Sequence, residues 1–503
     1  MAESLDEKLG GSLDGYSLIL KGRMNDGREV AVKRVITGTT DINEVNKLIE
    51  LSKNAQHDNV IRYYKLEQHD PYCYIYLELC SGSLYDFVEE RSFDRAGLDK
   101  KTAVKQIALG LEHIHRNGIY HLDLKPSNVL VTWGSPKRLV LADFEVSKRV
   151  PDGKESIRTK TFGGTIGWIA PEIEYFHEFE KRLTRKADIF SFGELVYYIW
   201  TGGSHPFSKR PKVTPDVLWE AQQRIKAYGS KASVEAATSC HHSSDSSVEE
   251  SGSSTCLELN MIDESLQDGV LVKDLLYNLL ERTPELRPDA GDAVQHPFFW
   301  SPHQQYQFYK QVSECTGSLP SMNVKFDRSQ RLRARIDQDK RKVINGDWLK
   351  RLHPEIRRHF KSYQKPVKPC KAGGPTLVGT GRSSSLINAI RNHWAHYPPS
   401  DAPKSKAFDL GSLPSSEEQG HTSLNLFVDS FPHLLLHTYH AALPWRDDIK
   451  LREFYPQGDF PKFQVSAGVN HYATRQIVVN FARDEFLIFK LIYFRNCRRT
   501  KKD

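Results

Sequence analysis

The run "HLDLKPSNVL" at residues 121–130, followed by "LADFEVSK" at 141–148, decides how the first part of this chain folds. Together they supply Asp123, Lys125, Asn128 and Asp143. Upstream, "VAVKRV" (30–35) places a further cation, Lys33, on a β-strand, and downstream "APE" follows at 170–172. Any one of these short patterns recurs by chance. All of them in this order and at these intervals require one common explanation: a site that handles a charged, phosphate-like group with oxygen ligands and ammonium groups.

That order resembles the protein-kinase pattern of strand lysine, H-x-D-x-K-x-x-N, D-F-x and A-P-E. Phosphoryl transfer explains the residue types. Lys33 is the cation for the α- and β-phosphates of ATP or ADP, with Glu44 on the adjacent helix as its expected acidic partner. Asp123 orients or deprotonates the attacking hydroxyl beside Lys125, and Asn128 and Asp143 are the expected Mg²⁺ ligands. The glycine-rich stretch "GGSLDG" (10–15) brings Gly10 and Gly15 to the nucleotide, and Glu78 and Cys80 in "LELCSGS" fall at the adenine hinge behind Leu77. Glu172 and Arg287 read as a buried ion pair that braces the fold. Three departures stand out: Ser12 at a glycine position, Leu122 in place of the arginine of H-R-D, and Glu145 in place of the glycine of D-F-G. Two readings therefore stand side by side, an active kinase and a pseudokinase that only binds nucleotide.

Working outward, the first 90 residues alternate β-rich runs ("YSLILKG", "EVAVKRV", "CYIYLEL") with one helical stretch at about 41–53, and residues 100–300 are mostly helical in pattern. Residues 230–254 hold ten serines and little to bury, so the tract 230–258 reads as a disordered insertion. The stretches 364–385 and 398–420 read as loops. No internal repeat is present. Residues 1–300 carry 37 basic and 45 acidic side chains, whereas residues 301–400 carry 19 and 6. That asymmetry points the second part at a polyanion, or else to a solvated basic surface. The acidic start carries no secretory signal, and the apolar run at 476–494 is too short and too charged to span a bilayer. Seven cysteines without a C-x-x-C pair argue against a zinc ribbon or a disulfide framework and for a reducing, cytoplasmic setting.

The second constellation is "AIRNHWAHYPP" at 389–399, where Asn392 and His396 are spaced i, i+4 and Arg391 is adjacent. Alone it reads equally as a basic helix end. Yet "HPFFWSP" (296–302), "NGDWLKRL" (345–352), "RRHFKSYQ" (357–364), "LINAIRNHWAHY" (386–397) and "FPHLLLHTYHAAL" (431–443) occur in that order. With "GGTIGWIAPE" (163–172), the chain resembles the kinase/endoribonuclease family of inositol-requiring enzyme one and ribonuclease L over about residues 10–455. The resemblance implies an all-α nuclease domain under the kinase, activity in homodimers or larger assemblies, and an RNA substrate rather than DNA. It also implies that Tyr363, Arg391, Asn392 and His396 cleave RNA without a cofactor, although the loop between Tyr363 and Arg391 is longer than in the relatives. Attack by the ribose 2′-OH would leave a 2′,3′-cyclic phosphate and a 5′-OH.

His433, His437 and His440 have a spacing that can ligate zinc but match a packing helix of that family. Trp300 and Trp348 read as junction anchors or as RNA-stacking residues. The sequence thus predicts an α+β, bilobal kinase-like fold over 1–300, an all-α nuclease domain over 301–455, and an unassigned extension at 456–503. The family's sensor and membrane-spanning regions find no counterpart here, so the chain is either a stand-alone form or part of a longer one.

Overall fold

The computed structural model of the chain describes residues 4–11, 17–38, 41–90, 97–151, 153–157, 163–174, 182–229, 257–316, 325–338, 340–352, 357, 381–396 and 427–456. Strands β1 (Ser4–Gly11), β2 (Ser17–Arg23), β3 (Glu29–Ile36), β4 (Tyr63–His69) and β5 (Tyr72–Glu78) form an antiparallel sheet in the order β1-β2-β3-β5-β4. In β3 the two-residue period sends Val30 and Val32 to one face, against Tyr76. Ala31, Lys33 and Val35 take the other face, where helix α1 (Ile42–Asn54) packs through Val45, Leu48 and Ile49. Asp41 starts α1 by accepting from the amides of Asn43 and Glu44.

The hairpin β1–β2 sharpens the glycine reading. Gly11 pairs with Leu18, and a side chain on it would meet the Ser17 carbonyl at 2.6 Å, whereas a Cβ on Gly10 would meet nothing within 4 Å. The close approach of the two strands within this hairpin therefore needs Gly11 rather than Gly10. Ser12 and Gly15 lie outside the described residues.

Below the sheet, helix α2 (Lys100–Arg116) buries Val104, Ile107, Ala108, Leu111 and Ile114, the three- and four-residue spacing of an amphipathic helix. Helix α3 (Lys186–Thr201) is buried on every side from Ala187 to Ile199, which makes it the axis of this lobe. Helices α4 (Pro215–Gly229) and α5 (Gln267–Leu279) complete it. Strands β6 (Cys80–Ser83), β7 (Val129–Thr132) and β8 (Leu139–Leu141) form a small sheet at the boundary between the lobes and fix the middle of the 121–148 segment, whose ends meet where Lys148 pairs with Tyr120. The Glu172–Arg287 pair is present, with Arg287 Nη1 and Nη2 donating to the two carboxylate oxygens at 2.6 and 2.9 Å.

A helical domain follows: α6 (Pro302–Thr316), α7 (Lys325–Ile336), α8 (Ser383–His396) and α9 (Leu434–Ala442). It is joined to α5 by burial rather than by a linker. Trp300 packs edge-on against Phe308 and Tyr439 and beside Phe454, and Asp274 of α5 faces both His296, at 3.0 Å, and His440 of α9, at 3.5 Å. Trp348 is buried and donates to Ser385 Oγ at 3.0 Å. Both tryptophans are anchors, not stacking platforms. His437 binds the Ile336 carbonyl at 2.8 Å, and among the described residues no group of three ligands is placed to hold a metal ion.

One loop expectation is corrected. Residues 364–385 read as irregular, but Ser383 to Ser385 already belong to α8, because Ser384 donates from its amide and its hydroxyl to Asp337 at 2.9 Å each, which tethers the first turn. The tracts 230–256, 397–426 and 457–503 lie outside the described residues. Among those described, no helix is long and apolar enough to cross a membrane, and Cys73, Cys80 and Cys315 are free thiols.

Candidate active sites

The segment 121–128 is held from beneath by Asp188, at the start of α3. Its carboxylate, 1% exposed, accepts from the amides of His121 and Leu122 at 2.8 and 2.7 Å and lies 2.9 Å from His115 Nε2. Leu122 sits at φ 66° and Asp143 at φ 64°, the left-handed region, which costs an ordinary residue roughly 1–2 kcal/mol. The charge-assisted bonds to Asp188 hold the first of these turns in place. His121 ties it to the second turn through Nε2 and the Ala142 carbonyl, 2.9 Å apart.

These turns bring Asp123, Lys125, Asn128 and Thr165 into one network. Lys125 Nζ donates to Asp123 Oδ2 at 2.7 Å and to Thr165 Oγ1 at 2.6 Å, and the Thr165 hydroxyl donates to Asp123 Oδ1 at 2.7 Å. Asn128 Nδ2 donates to Asp123 Oδ2 at 2.9 Å. Across the cleft, Lys33 Nζ contacts Asp143 Oδ1 at 2.9 Å and Glu145 Oε1 at 2.7 Å. Burial works to discharge Lys33, but the two carboxylates hold its pKa above the ordinary lysine value. Likewise burial pushes the Asp143 carboxyl up, and Lys33 overrides it and holds it below the ordinary range.

The expected Lys33–Glu44 pair is not made. Glu44 bonds Lys47 at 2.7 Å, one helical turn along α1. The reason is local: Glu145 supplies a carboxylate from the same turn as Asp143 and takes the place on Lys33. Glu44 still lines the cleft, a cavity of about 410 Å³ whose walls include Ile19, Lys33, Leu77, Asn128 and Asp143. Glu78 and Cys80 are not among its lining residues. They flank the turn from β5 into β6, where Glu78 accepts from Arg138 Nη2 at 3.1 Å and burial pushes the Cys80 thiol up to about 12. As oxygen ligands for Mg²⁺ the two expected residues fit. Asn128 donates only through Nδ2 and Lys33 takes only Oδ1 of Asp143, so each keeps an oxygen without a donor among the described residues.

In the helical domain, α8 carries Arg391 and Asn392, both half-buried. Arg391 donates from Nε and Nη2 to Asn392 Oδ1 at 3.1 and 2.8 Å. That leaves Nη1 and the Asn392 amide protons as donors for an anion. Tyr306 of α6 stands close by: burial raises its hydroxyl pKa, and the Arg391 charge opposes the rise. His396 ends the same helix one turn beyond Asn392. Its side chain, and Tyr363 as a whole, lie outside the described residues.

Residues 7–299 match the family described as Protein kinase domain, and residues 305–455 match the one described as Ribonuclease 2-5A. The chain belongs to the kinase/endoribonuclease family. Similar curated relatives are the human serine/threonine-protein kinase/endoribonuclease IRE2, 30% identical over 450 residues, which are 88% of this chain and 41% of the relative. Another is the Caenorhabditis elegans serine/threonine-protein kinase/endoribonuclease ire-1, 29% identical over 441 residues, 86% of this chain and 38% of the relative. A third is the Schizosaccharomyces pombe sensor for unfolded proteins in the ER, ire1, 28% identical over 457 residues, 85% and 36%. The chain thus spans about two fifths of the length of the curated relatives it matches. In this member of the family, sequence reasoning missed Asp188, Thr165 and Tyr306. A carboxylate opening an otherwise apolar helix, "KADIFSFG", was the available signal for the first; the other two come together only through the fold.

Proposed function

We propose that the chain is a nucleotide-regulated endoribonuclease whose kinase domain binds ATP or ADP with Mg²⁺ and phosphorylates serine or threonine hydroxyls. The observation that carries this reading is the joining of a protein kinase domain to a ribonuclease 2-5A domain in one chain. In the kinase cleft, Lys33 holds the α- and β-phosphates, Asn128 and Asp143 hold the metal, and Asp123 aligns the acceptor hydroxyl with Lys125 and Thr165 beside it. Bound Mg²⁺ neutralises charge developing on the phosphates. On α8, Arg391 and Asn392 bind and neutralise the scissile phosphate, Tyr363 accepts or orients the 2′-OH proton, and His396 protonates the departing 5′-oxygen. The products are a 2′,3′-cyclic phosphate and a 5′-OH. Side chains supply each proton and charge of that step, so it needs no cofactor. A homodimer favoured by nucleotide would complete the nuclease site, on the cytoplasmic side of any membrane.

A second reading is favoured by the Lys33 contacts: with Glu145 on Lys33 and Glu44 on Lys47, the cleft fits a pseudokinase that switches the nuclease without transferring phosphate. Cleavage of a labelled stem-loop RNA by wild type and His396→Ala tests the nuclease. Equal cleavage by both would remove α8 from the chemistry, and no cleavage by wild type would leave an RNA-binding or partner-binding scaffold. Autophosphorylation with labelled ATP, absent in Asp143→Ala, separates the active kinase from the pseudokinase.

A further inference from the structure

Glu145 stands where the D-F-G pattern has a residue with no side chain, so its carboxylate is an addition to the nucleotide cleft. The turn that carries it is fixed. Phe144 is buried against Tyr63 and His121, and the Ser147 hydroxyl donates to the Phe144 carbonyl at 2.7 Å. Glu145 is left facing the cleft, 2.7 Å from Lys33 Nζ. The charge balance of the walls adds to the effect: Asp41, Glu44, Asp143 and Glu145 outnumber Lys33, Lys148 and Arg149. An incoming polyphosphate meets a cation already engaged by two carboxylates and a lining with an excess of negative charge.

We propose that Glu145 is a built-in competitor for the phosphate subsite: its carboxylate occupies on Lys33 the position a nucleotide phosphate must take, and sets how tightly phosphorylated nucleotides bind. This rests on the nucleotide-binding reading above. The occupant it must yield to is an adenine nucleotide's α- or β-phosphate, an anion that engages the same ammonium with comparable geometry. The nucleoside portion, held by Ile19 and Leu77 on the apolar side of the cleft, is not in competition with it. Glu145 therefore discriminates by phosphate content, lowering affinity for ADP while leaving adenosine unaffected.

The test is calorimetric titration of the full chain with ADP and with adenosine, each in the presence of a chelator, for wild type and Glu145→Gln. Glutamine keeps the length and removes the charge. Because Glu145 is partly exposed, the expected effect is modest: ADP binding tightens by roughly twofold to fivefold, the worth of one partly screened ion pair, and adenosine binding is unchanged. Weaker ADP binding in Glu145→Gln would overturn the proposal by showing that the carboxylate assists the ligand. Equal shifts for ADP and adenosine, or no shift for either, would overturn it as well. If wild type binds neither ligand and Glu145→Gln is equally silent, the nucleotide reading itself falls. A thermal melt of each protein confirms that the variant is folded as wild type is.

Discussion

Replacing Glu194 by glutamine should alter stability in a pH-dependent way that can be worked out from the surroundings of this one group. Glu194 lies in the middle of α3, fully buried, and neither carboxyl oxygen meets a hydrogen-bond donor among the described residues. His205 is 3.6 Å away, but it uses Nε2 on the Gly167 carbonyl at 2.7 Å and Nδ1 on the Phe207 amide at 3.2 Å. Burial raises the Glu194 carboxyl well above its ordinary value of 4.5, and Arg287 offsets this only in part. Between pH 4.5 and its raised folded value the group is neutral in the fold and ionised in the unfolded chain. Above pH 4.5 the unfolded state therefore binds fewer protons, and stability falls by about 1.4 kcal/mol per pH unit until the folded pKa is passed. His205 works in the other direction. Burial depresses it from 6.5 to about 4, so its contribution rises with pH across that window and is flat above it. The two slopes offset one another while both groups titrate, and above pH 6.5 His205 contributes none.

Glu194→Gln removes one of the two slopes. The stability difference between variant and wild type should drift in the variant's favour as the pH rises above 4.5, by about 1.4 kcal/mol per pH unit for as long as the folded carboxyl stays protonated. The buried amide carries its own desolvation cost, but the same one at every pH, so the slope is the quantity to read. Urea unfolding followed by tryptophan fluorescence at several pH values measures it. A difference that does not change with pH would mean that Glu194 titrates alike in both states, and the burial argument would fail.

Glu172→Gln strips the charged partner from Arg287, whose side chain is 0% exposed, and should lower stability by about 3 kcal/mol because an unpaired buried charge remains; an unchanged urea midpoint would count against it. Asp188→Asn leaves the His121 and Leu122 amides with a weaker acceptor and should cost about 2 kcal/mol. Hydrogen exchange at those two amides should speed up, and unaltered protection would show that the turn holds itself. Asp337→Ala removes both acceptors from Ser384 and should cost about 1 kcal/mol, the usual worth of a helix-end cap, while slowing RNA cleavage through α8; cleavage at the wild-type rate would mean that packing against α6 is enough to hold it.

The short motifs point to the kinase cleft because phosphate chemistry demands particular residue types at fixed intervals; Lys33, Asn128 and Asp143 line it, and Asp123 is bonded to Asn128. Glu44 was misjudged for a reason that spacing cannot express. Which carboxylate reaches Lys33 depends on where the turn at 143–145 aims its side chains, and that turn is set by the buried Phe144 and the left-handed Asp143. In the glycine-rich stretch the steric need falls on Gly11, since only the register of β1 against β2 shows which residue meets the Ser17 carbonyl. What Asp188 binds was hidden for the opposite reason. The residue sits far in sequence from the amides it binds, and a single carboxylate in an apolar helix gives no hint of its target. On α8 the adjacency of Arg391 and Asn392 is plain in the sequence but the bond between their side chains is not, and the tether through Asp337 joins residues 47 positions apart.

Asp274 carries a consequence for how a signal could travel through this molecule. Its carboxylate is shared between His296, at the end of the kinase lobe, and His440, on a helix of the nuclease domain, and the Trp300 ring cluster closes around the same seam. A cut after Trp300 would strand a buried anion and a set of aromatic rings on both sides, so neither part is expected to behave as a free-standing unit. A seam of this kind couples the two parts through buried contacts. Movement started in the nucleotide cleft would carry the nuclease helices along as cargo instead of bending the chain between them. Communication between the two activities would then be read in how whole molecules meet one another.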